Sequence, residues 1–230
     1  MNIGIIVATN PELEETKKIL NNKKEEEYLG LKFFLGNLKN NDNNVVLVKC
    51  GIGKVNAART AQILIDKFDV KKVINVGTAG GINPDLKVTD FVIGSKLVQY
   101  DFDSSNLDGT ELGEIDGVGK YFECDKELVK KCEDILNLKN NIHYMVGTIA
   151  TADFFCVDKE KAKKIGEIFG ADCLEMEGAA IAQVCFLSKI PFVVIRGISD
   201  TANGNNNIDY HTYCKIVSSQ VAGLVSEILA

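Results

Sequence analysis

Val73-Ile74-Asn75-Val76-Gly77-Thr78-Ala79-Gly80-Gly81 reads as a short apolar strand running into a glycine-rich turn. Upstream, residues 53–68 place apolar side chains at 55, 58, 61, 65 and 68, the spacing of one helical face. A helix feeding a buried strand that ends in glycines is the basic unit of an open α/β sheet. Toward the N-terminus, residues 3–8 read as a buried strand and 12–20 as a short helix opening after Asn10-Pro11. Residues 31–37 and 45–49 read as antiparallel strands joined by the Asn/Lys-rich turn at 39–44. Toward the C-terminus, strands are expected at 90–98, 143–150 and 192–198, and helices at 126–136, 159–169 and 178–187. Tyr213, Val217, Val221, Leu224 and Ile228 give one face to a last helix. The polar, glycine-containing stretch 104–119 reads as a long excursion, and loops of that length are usually functional. The pattern predicts an α/β layer with a mixed sheet, in one domain spanning 1–230, without repeats.

Composition narrows the function. A chain of 230 residues with 46% hydrophobic content can bury a continuous core, and 25% charged residues do not indicate disorder. The net charge of −6, with Arg59 and Arg196 the only arginines, disfavours nucleic acid as a partner. No apolar stretch approaches a membrane span, and Met1-Asn2-Ile3-Gly4 lacks the basic start of a signal peptide. Seven cysteines without a C-x-x-C pair, among them Cys50, Cys173 and Cys185 in apolar runs, read as reduced thiols. The expectation is a cytoplasmic protein without a structural metal.

Two acidic segments carry the chemistry. Leu174-Glu175-Met176-Glu177-Gly178 and Val194-Ile195-Arg196-Gly197-Ile198-Ser199-Asp200 bring charge to the ends of apolar elements, where unpaired it would be strongly penalised. A sugar with vicinal hydroxyls and a heterocycle would satisfy such groups. Glu175 and Glu177 precede a buried helix whose N-terminus favours negative charge, and a carboxylate there can accept both hydrogen bonds of a cis-diol. Helix capping is a plain role for one of them, plausible for Glu175, but for both together with Met176 between them a ligand role is the favoured reading. For Asp200 a turn or N-cap role is the lesser of the two readings, whereas Glu12 has a stronger plain reading as a first-turn helix stabiliser. The glycine run 77–81 suits either a tight turn or a backbone approach to a ligand, and it lacks both dinucleotide and P-loop signatures. Gly51-Ile52-Gly53-Lys54 reads as a helix entry. Phe154-Phe155 reads as a core pair or as a plate for a base. His143 and His211 show no metal-ligand spacing, and no Ser/His/Asp set can be assembled.

Taken in order, Ile3-Gly4-Ile5-Ile6, Gly51-Ile52-Gly53-Lys54-Val55, Gly77 to Gly81, Leu174 to Glu177 and Ile198-Ser199-Asp200 resemble the 5′-methylthioadenosine/S-adenosylhomocysteine nucleosidases of the purine nucleoside phosphorylase-like superfamily. The resemblance covers essentially the whole chain. It implies a three-layer α/β/α sandwich with a mixed central sheet, a homodimer, no cofactor and a small nucleoside as substrate. It implies that Glu12 activates water and Asp200 protonates the purine at N7. Met176 and Glu177 match the groups on the ribose hydroxyls, Phe155 the aromatic on adenine, and Cys156 a backbone contact to the base. Thr78 stands where serine is frequent. Gly80 matches a backbone contact, and Arg196 a group behind the water and Glu177. Glu175 and Ser199 belong to the same substrate-binding set. Around the 5′ group, Ile52 and Tyr210 keep apolar character, whereas Thr9 replaces a frequent methionine and Leu107 an aromatic. Hydrolysis of 5′-alkylthioadenosines, and also of 5′-deoxyadenosine, is the reading that follows. A futalosine-type nucleoside hydrolase, a phosphorylase or a non-catalytic nucleoside binder are the alternatives. A pure binder needs neither Glu12 nor Asp200.

Overall fold

Ile3, Ile5 and Val7 point to one side of the first strand and Ile6 to the other, and all four are buried. Such a strand must be covered on both faces. The computed structural model describes residues 2–38, 41–140, 142–201 and 210–229, with side chains described in these except at 41, 42, 108 and 210–213. In chain order, β1 (Asn2–Val7) and α1 (Asn10–Lys17) lead into β2 (Leu20–Tyr28), β3 (Leu31–Leu38) and β4 (Asn41–Lys49). Then come α2 (Lys54–Phe68), β5 (Lys72–Gly81), β6 (Phe91–Gln99), α3 (Ser105–Asp108), β7 (Phe122–Glu123) and α4 (Lys126–Asn137). The chain continues through β8 (Tyr144–Thr151), α5 (Lys159–Phe169), β9 (Ala171–Glu175), α6 (Gly178–Leu187), β10 (Phe192–Thr201) and α7 (Tyr210–Ile228).

The sheet is mixed. β1 lies parallel between β4 and β5, and β2, β3 and β4 continue antiparallel to one edge. β5 is flanked in parallel by β10, which runs antiparallel to β6, and β6 and β8, like β8 and β9, are parallel. Because β9 returns antiparallel to β5 at Gly80 and Gly81, strands β5, β10, β6, β8 and β9 close into a ring. One face of the sheet packs Ile3, Ile5 and Val7 with Leu13 of α1 and Val217, Val221 and Leu224 of α7. The other packs Ile6 with Ala57, Ala61 and Leu64 of α2 and Ala179 to Ala182 of α6. Helix α6 is apolar nearly all round but buried only over Gly178 to Ala182 and at Cys185; Phe186 and Leu187 at its C-terminal end are exposed, so the burial expected along the whole helix holds for its first half. A third cluster sets Phe169 and Ile165 of α5 against Val98, Ala150 and Leu174.

Four expectations change. β4 already begins at Asn41, inside the turn expected at 39–44, because β3 pairs with it back to Leu38–Asn41. The first helix stops at Lys17 instead of reaching residue 20, and Leu20–Tyr28, a stretch to which the sequence pattern assigns no element beyond residue 20, is a strand. Its Lys/Glu run hides the alternation because β2 is a mostly exposed edge strand, where charge also discourages further pairing. The glycine run 77–81 is not a turn but the second half of β5, paired throughout with β10. Likewise Ser199 and Asp200 do not follow the strand; they lie inside β10 at a register shift between Ile198 and Asp200. Such bulges re-aim side chains.

Candidate active site

The β1–β5 ladder ends at the pair Ile6–Asn75, after which the two strands part. Acidic side chains gather around the opening. Glu12, in the first turn of α1, folds back so that Oε2 accepts the amides of Ala8 at 2.8 Å and Thr9 at 2.9 Å. Its Oε1 accepts the Thr78 amide of β5 at 3.2 Å. The carboxylate therefore bridges β1 and β5 rather than merely stabilising its own helix. Gly77 permits this approach: a Cβ there would stand 3.0 Å from Glu12 Oε1 and collide with the Arg196 guanidinium.

On the far side of β5, Gly80 pairs with Asp200 across the ladder. A Cβ on Gly80 would lie 3.2 Å from Asp200 Oδ2, so the carboxylate sits over that backbone. The buried Ser199 hydroxyl donates to Asp200 Oδ1 at 2.7 Å and orients it. Glu12 and Asp200, from opposite ends of the chain, thus meet the same four-residue stretch of β5.

Glu177 occupies the N-cap position of α6 without its side chain capping the helix, and is buried. Its Oε1 accepts the Gly53 amide at 3.0 Å, and its Oε2 lies 4.0 Å from Arg196 Nη2. Burial pushes its pKa up to about 7, helped by the nearby Glu175 charge and opposed by Arg196 and the Gly53 N–H. Arg196 is itself fully buried; burial works against its charge, yet Glu175, Glu177 and Glu12 hold its pKa above the ordinary value. Its Nη2 donates to Asn75 Oδ1 at 2.6 Å and to Glu175 Oε2.

Glu175 does not face an opening. Its two oxygens accept the amides of Glu177 and Gly178, the Thr151 hydroxyl and Arg196. With its lone pairs taken, it caps α6 and neutralises Arg196, so the structure favours the capping role over direct contact with a ligand. The same geometry explains why two glutamates two residues apart end in different surroundings.

The remaining expected residues surround this centre. Thr78 and Met176 are half-buried, and Ile52 and Phe155 are more than half exposed. Phe154 goes inward instead, its ring edge-on to Tyr100 at 5.6 Å, so the Phe pair splits between core and surface. Cys156 is half-buried. Thr9 is the residue preceding α1, and Leu107 is exposed on α3. The side chain of Tyr210 lies outside the described residues. Cys50 adjoins the site, and burial with the Glu177 and Glu12 charges raises its thiol far above the ordinary range, which favours the protonated form over the nucleophilic thiolate.

The family model described as phosphorylase superfamily matches residues 2–230. A 5′-methylthioadenosine/S-adenosylhomocysteine nucleosidase of Psychromonas ingrahamii is 38% identical over 100% of this chain and 98% of its own length. The chain belongs to this nucleosidase family of the phosphorylase superfamily. Among solved structures, the Campylobacter jejuni 5′-methylthioadenosine/S-adenosyl homocysteine nucleosidase superposes with a TM-score of 0.93 at 32% identity, covering 99% of this chain and 98% of that one. Futalosine hydrolase of Helicobacter pylori superposes with a TM-score of 0.92 at 29% identity, covering 100% and 97%. The nucleosidase fold is therefore shared by enzymes with different nucleosides.

Several groups that local sequence pattern does not reveal support these side chains. Gly53, with φ of +99°, was legible only as a helix entry, yet its amide holds Glu177. Asp153 accepts the Lys54 amide at 2.7 Å, while Lys54 Nζ reaches Asp101 at 2.7 Å. Thr151 donates to Glu175 and accepts the Ala179 amide at 2.8 Å. Asn75, a polar residue inside an apolar strand, was the one available sign.

Proposed function

We propose that the chain hydrolyses the N-glycosidic bond of 5′-methylthioadenosine and S-adenosylhomocysteine, and also of 5′-deoxyadenosine, releasing adenine and the 5-substituted ribose. The observation that carries this is the convergence of Glu12 and Asp200 on Thr78 and Gly80 of β5. Breaking C1′–N9 requires a neutral leaving base and a nucleophile on the opposite face, as in an inverting glycosidase. Asp200 gives its proton to N7, the C1′–N9 electrons pass to adenine, water adds to C1′, and Glu12 takes the proton of that water. Glu177 and Met176 hold the ribose hydroxyls, and the negative charge of Glu177 favours the developing oxocarbenium ion. Phe155 stacks on adenine, with Cys156 and Gly80 offering backbone contacts and Thr78 its hydroxyl. Ser199 orients Asp200, Arg196 supports Glu177, and Ile52 and Tyr210 line the 5′ end.

Water rather than phosphate is the nucleophile in this reading. Phosphorolysis needs cations for a dianion. Arg196 is spent on Glu175 and Asn75, and Arg59 donates to the Leu29 carbonyl at the surface. The further parts of the reading are a single domain over residues 1–230, a homodimer, a cytoplasmic location and a place in methionine salvage. Among the described residues no helix is long and apolar enough to cross a membrane. The likeness to futalosine hydrolase makes a futalosine-type nucleoside the second substrate to assay.

The test is base release from a panel of 5′-substituted adenosines and a futalosine-type nucleoside, with and without phosphate. Free reducing sugar at an unchanged rate without phosphate is expected. Asp200→Asn and Glu12→Gln should each remain folded and lose about 10²-fold or more in kcat. Strict phosphate dependence with a sugar 1-phosphate product would overturn hydrolysis, and a folded Asp200→Asn protein with near wild-type kcat would remove Asp200 from the chemistry.

A further inference from the structure

Asn75 stands in the middle of β5 with no exposed surface, between Ile6 of β1 and Val194 of β10. A polar amide there must find partners for both ends. Its Nδ2 donates to the Ile6 carbonyl at 3.0 Å, and its Oδ1 accepts from Arg196 Nη2 at 2.6 Å. The two bonds fix the orientation of the amide, since the guanidinium can only donate and the carbonyl only accept. This is also the last rung of the β1–β5 ladder, immediately before the opening that holds Glu12. We propose that Asn75 is a positioning residue: pinned to β1, it fixes the plane of the Arg196 guanidinium and so holds that cation against Glu175 and Glu177.

The consequence reaches the ribose carboxylate, and to that extent the inference rests on the nucleosidase reading. Around Glu177 stand Arg196 from β10, Glu175 from β9, Glu12 from α1, the Gly53 N–H at the α2 entry and the Cys50 thiol after β4. Burial and the two other carboxylates oppose ionisation of Glu177, whereas Arg196 and the Gly53 N–H favour it. Glu175 is bonded to Arg196 directly and competes for it. If the guanidinium loses its Asn75 anchor, it can settle on Glu175 alone, and Glu177 loses countercharge.

The experiment compares the full chain with Asn75→Leu, which fills the space without polar atoms, and with Asn75→Ser, which relieves the packing if the leucine variant fails to fold. Two profiles are read between pH 4.5 and 9: kcat/KM for 5′-methylthioadenosine, and unfolding free energy in denaturant. The acid limb of kcat/KM should move up by about 0.5–1 pH unit, a three- to tenfold extra loss at pH 6, while the alkaline plateau stays within about threefold. The stability profile requires no substrate. Because the folded pKa of Glu177 is raised, stability declines as pH rises from the unfolded toward the folded value, and in the variants this decline should extend to higher pH. Loss of activity by an equal factor at every pH, with an unchanged stability profile, would reduce Asn75 to a structural residue and overturn the proposal. A wild-type chain that releases no adenine would count against the nucleosidase reading, and the stability profiles would then decide the Asn75 inference alone.

Discussion

Glu177 concentrates the conflict between folding and function. Its carboxylate is removed from water beside Glu175 and, among the described residues, is compensated by Arg196 and the Gly53 amide. Its pKa of about 7 lies above that of an unfolded glutamate, so the native chain binds the extra proton between roughly pH 4.5 and 7. The sign follows: this group's contribution is most favourable below pH 4.5 and is lost as pH rises through 7. Glu177→Gln keeps the acceptor for the Gly53 amide but cannot ionise. The variant should therefore be more stable than wild type above pH 7, by at most about 3 kcal/mol, with the gap closing near pH 4.5. The same substitution should lower kcat, raise KM and abolish the acid limb of kcat/KM near pH 7. Chemical denaturation at pH 5 and 8, together with the pH–rate profile, checks both halves. A gain in stability at pH 5 as large as at pH 8 would sink the electrostatic explanation and leave a packing effect.

At the scale of elements, β10 and α7 meet where no side chain intervenes. A Cβ on Gly197 would overlap Val217 Cγ1 and approach Val221 Cγ2 to 3.2 Å. Gly197→Ala must push α7 off the strand and should cost about 1–3 kcal/mol, the usual penalty of overpacking. Gly223, exposed on the same helix, has nothing within 4 Å of such a Cβ, and Gly223→Ala should stabilise by about 0.5–1 kcal/mol. Denaturant midpoints for the two variants should move in opposite directions; a shared direction would mean that the helix and strand pack differently from this account. The long apolar and amphipathic runs had made β1, α2, α6 and β10 legible, because each is dictated by burial on one or both faces. The glycines of β5 suit a turn or a close backbone approach equally well in sequence, and only the structure shows that they clear space for Glu12, Arg196 and Asp200. Glu175 and Glu177 look alike in sequence, and only the approach of Thr151, Arg196 and Gly53 from other strands and loops distinguishes them. Polar partnerships across a sheet leave little trace in local pattern, whereas hydrophobic periodicity does.

For the whole molecule, the question is what covers the mouth of the site. Ile52, Val55, Leu107, Phe155 and Val157 are all more than half exposed. Ile52 and Val55 flank Lys54, which bonds Asp153 and Asp101, so with Phe155 they gather near one another, and the chain from Asp101 leads within six residues to Leu107. Large apolar residues gathered in this way mark an interaction surface more often than ordinary solvent-facing surface. A second copy of the chain is the occupant proposed here, with the excursion that carries Leu107 reaching toward the partner's 5′ pocket. Such a dimer would shield the base platform from water without adding a catalytic group. Activity per chain should then fall on dilution into the low nanomolar range and recover on reconcentration, in step with the dimer fraction from sedimentation. Leu107→Glu places a charge on the exposed helix without touching the monomer core. It should shift the chain toward monomer and raise KM for 5′-alkylthio substrates more than for 5′-deoxyadenosine, which has little 5′ group to bury. A monomer with full activity at nanomolar concentration would show that the exposed side serves some other purpose and that the site is complete in one chain.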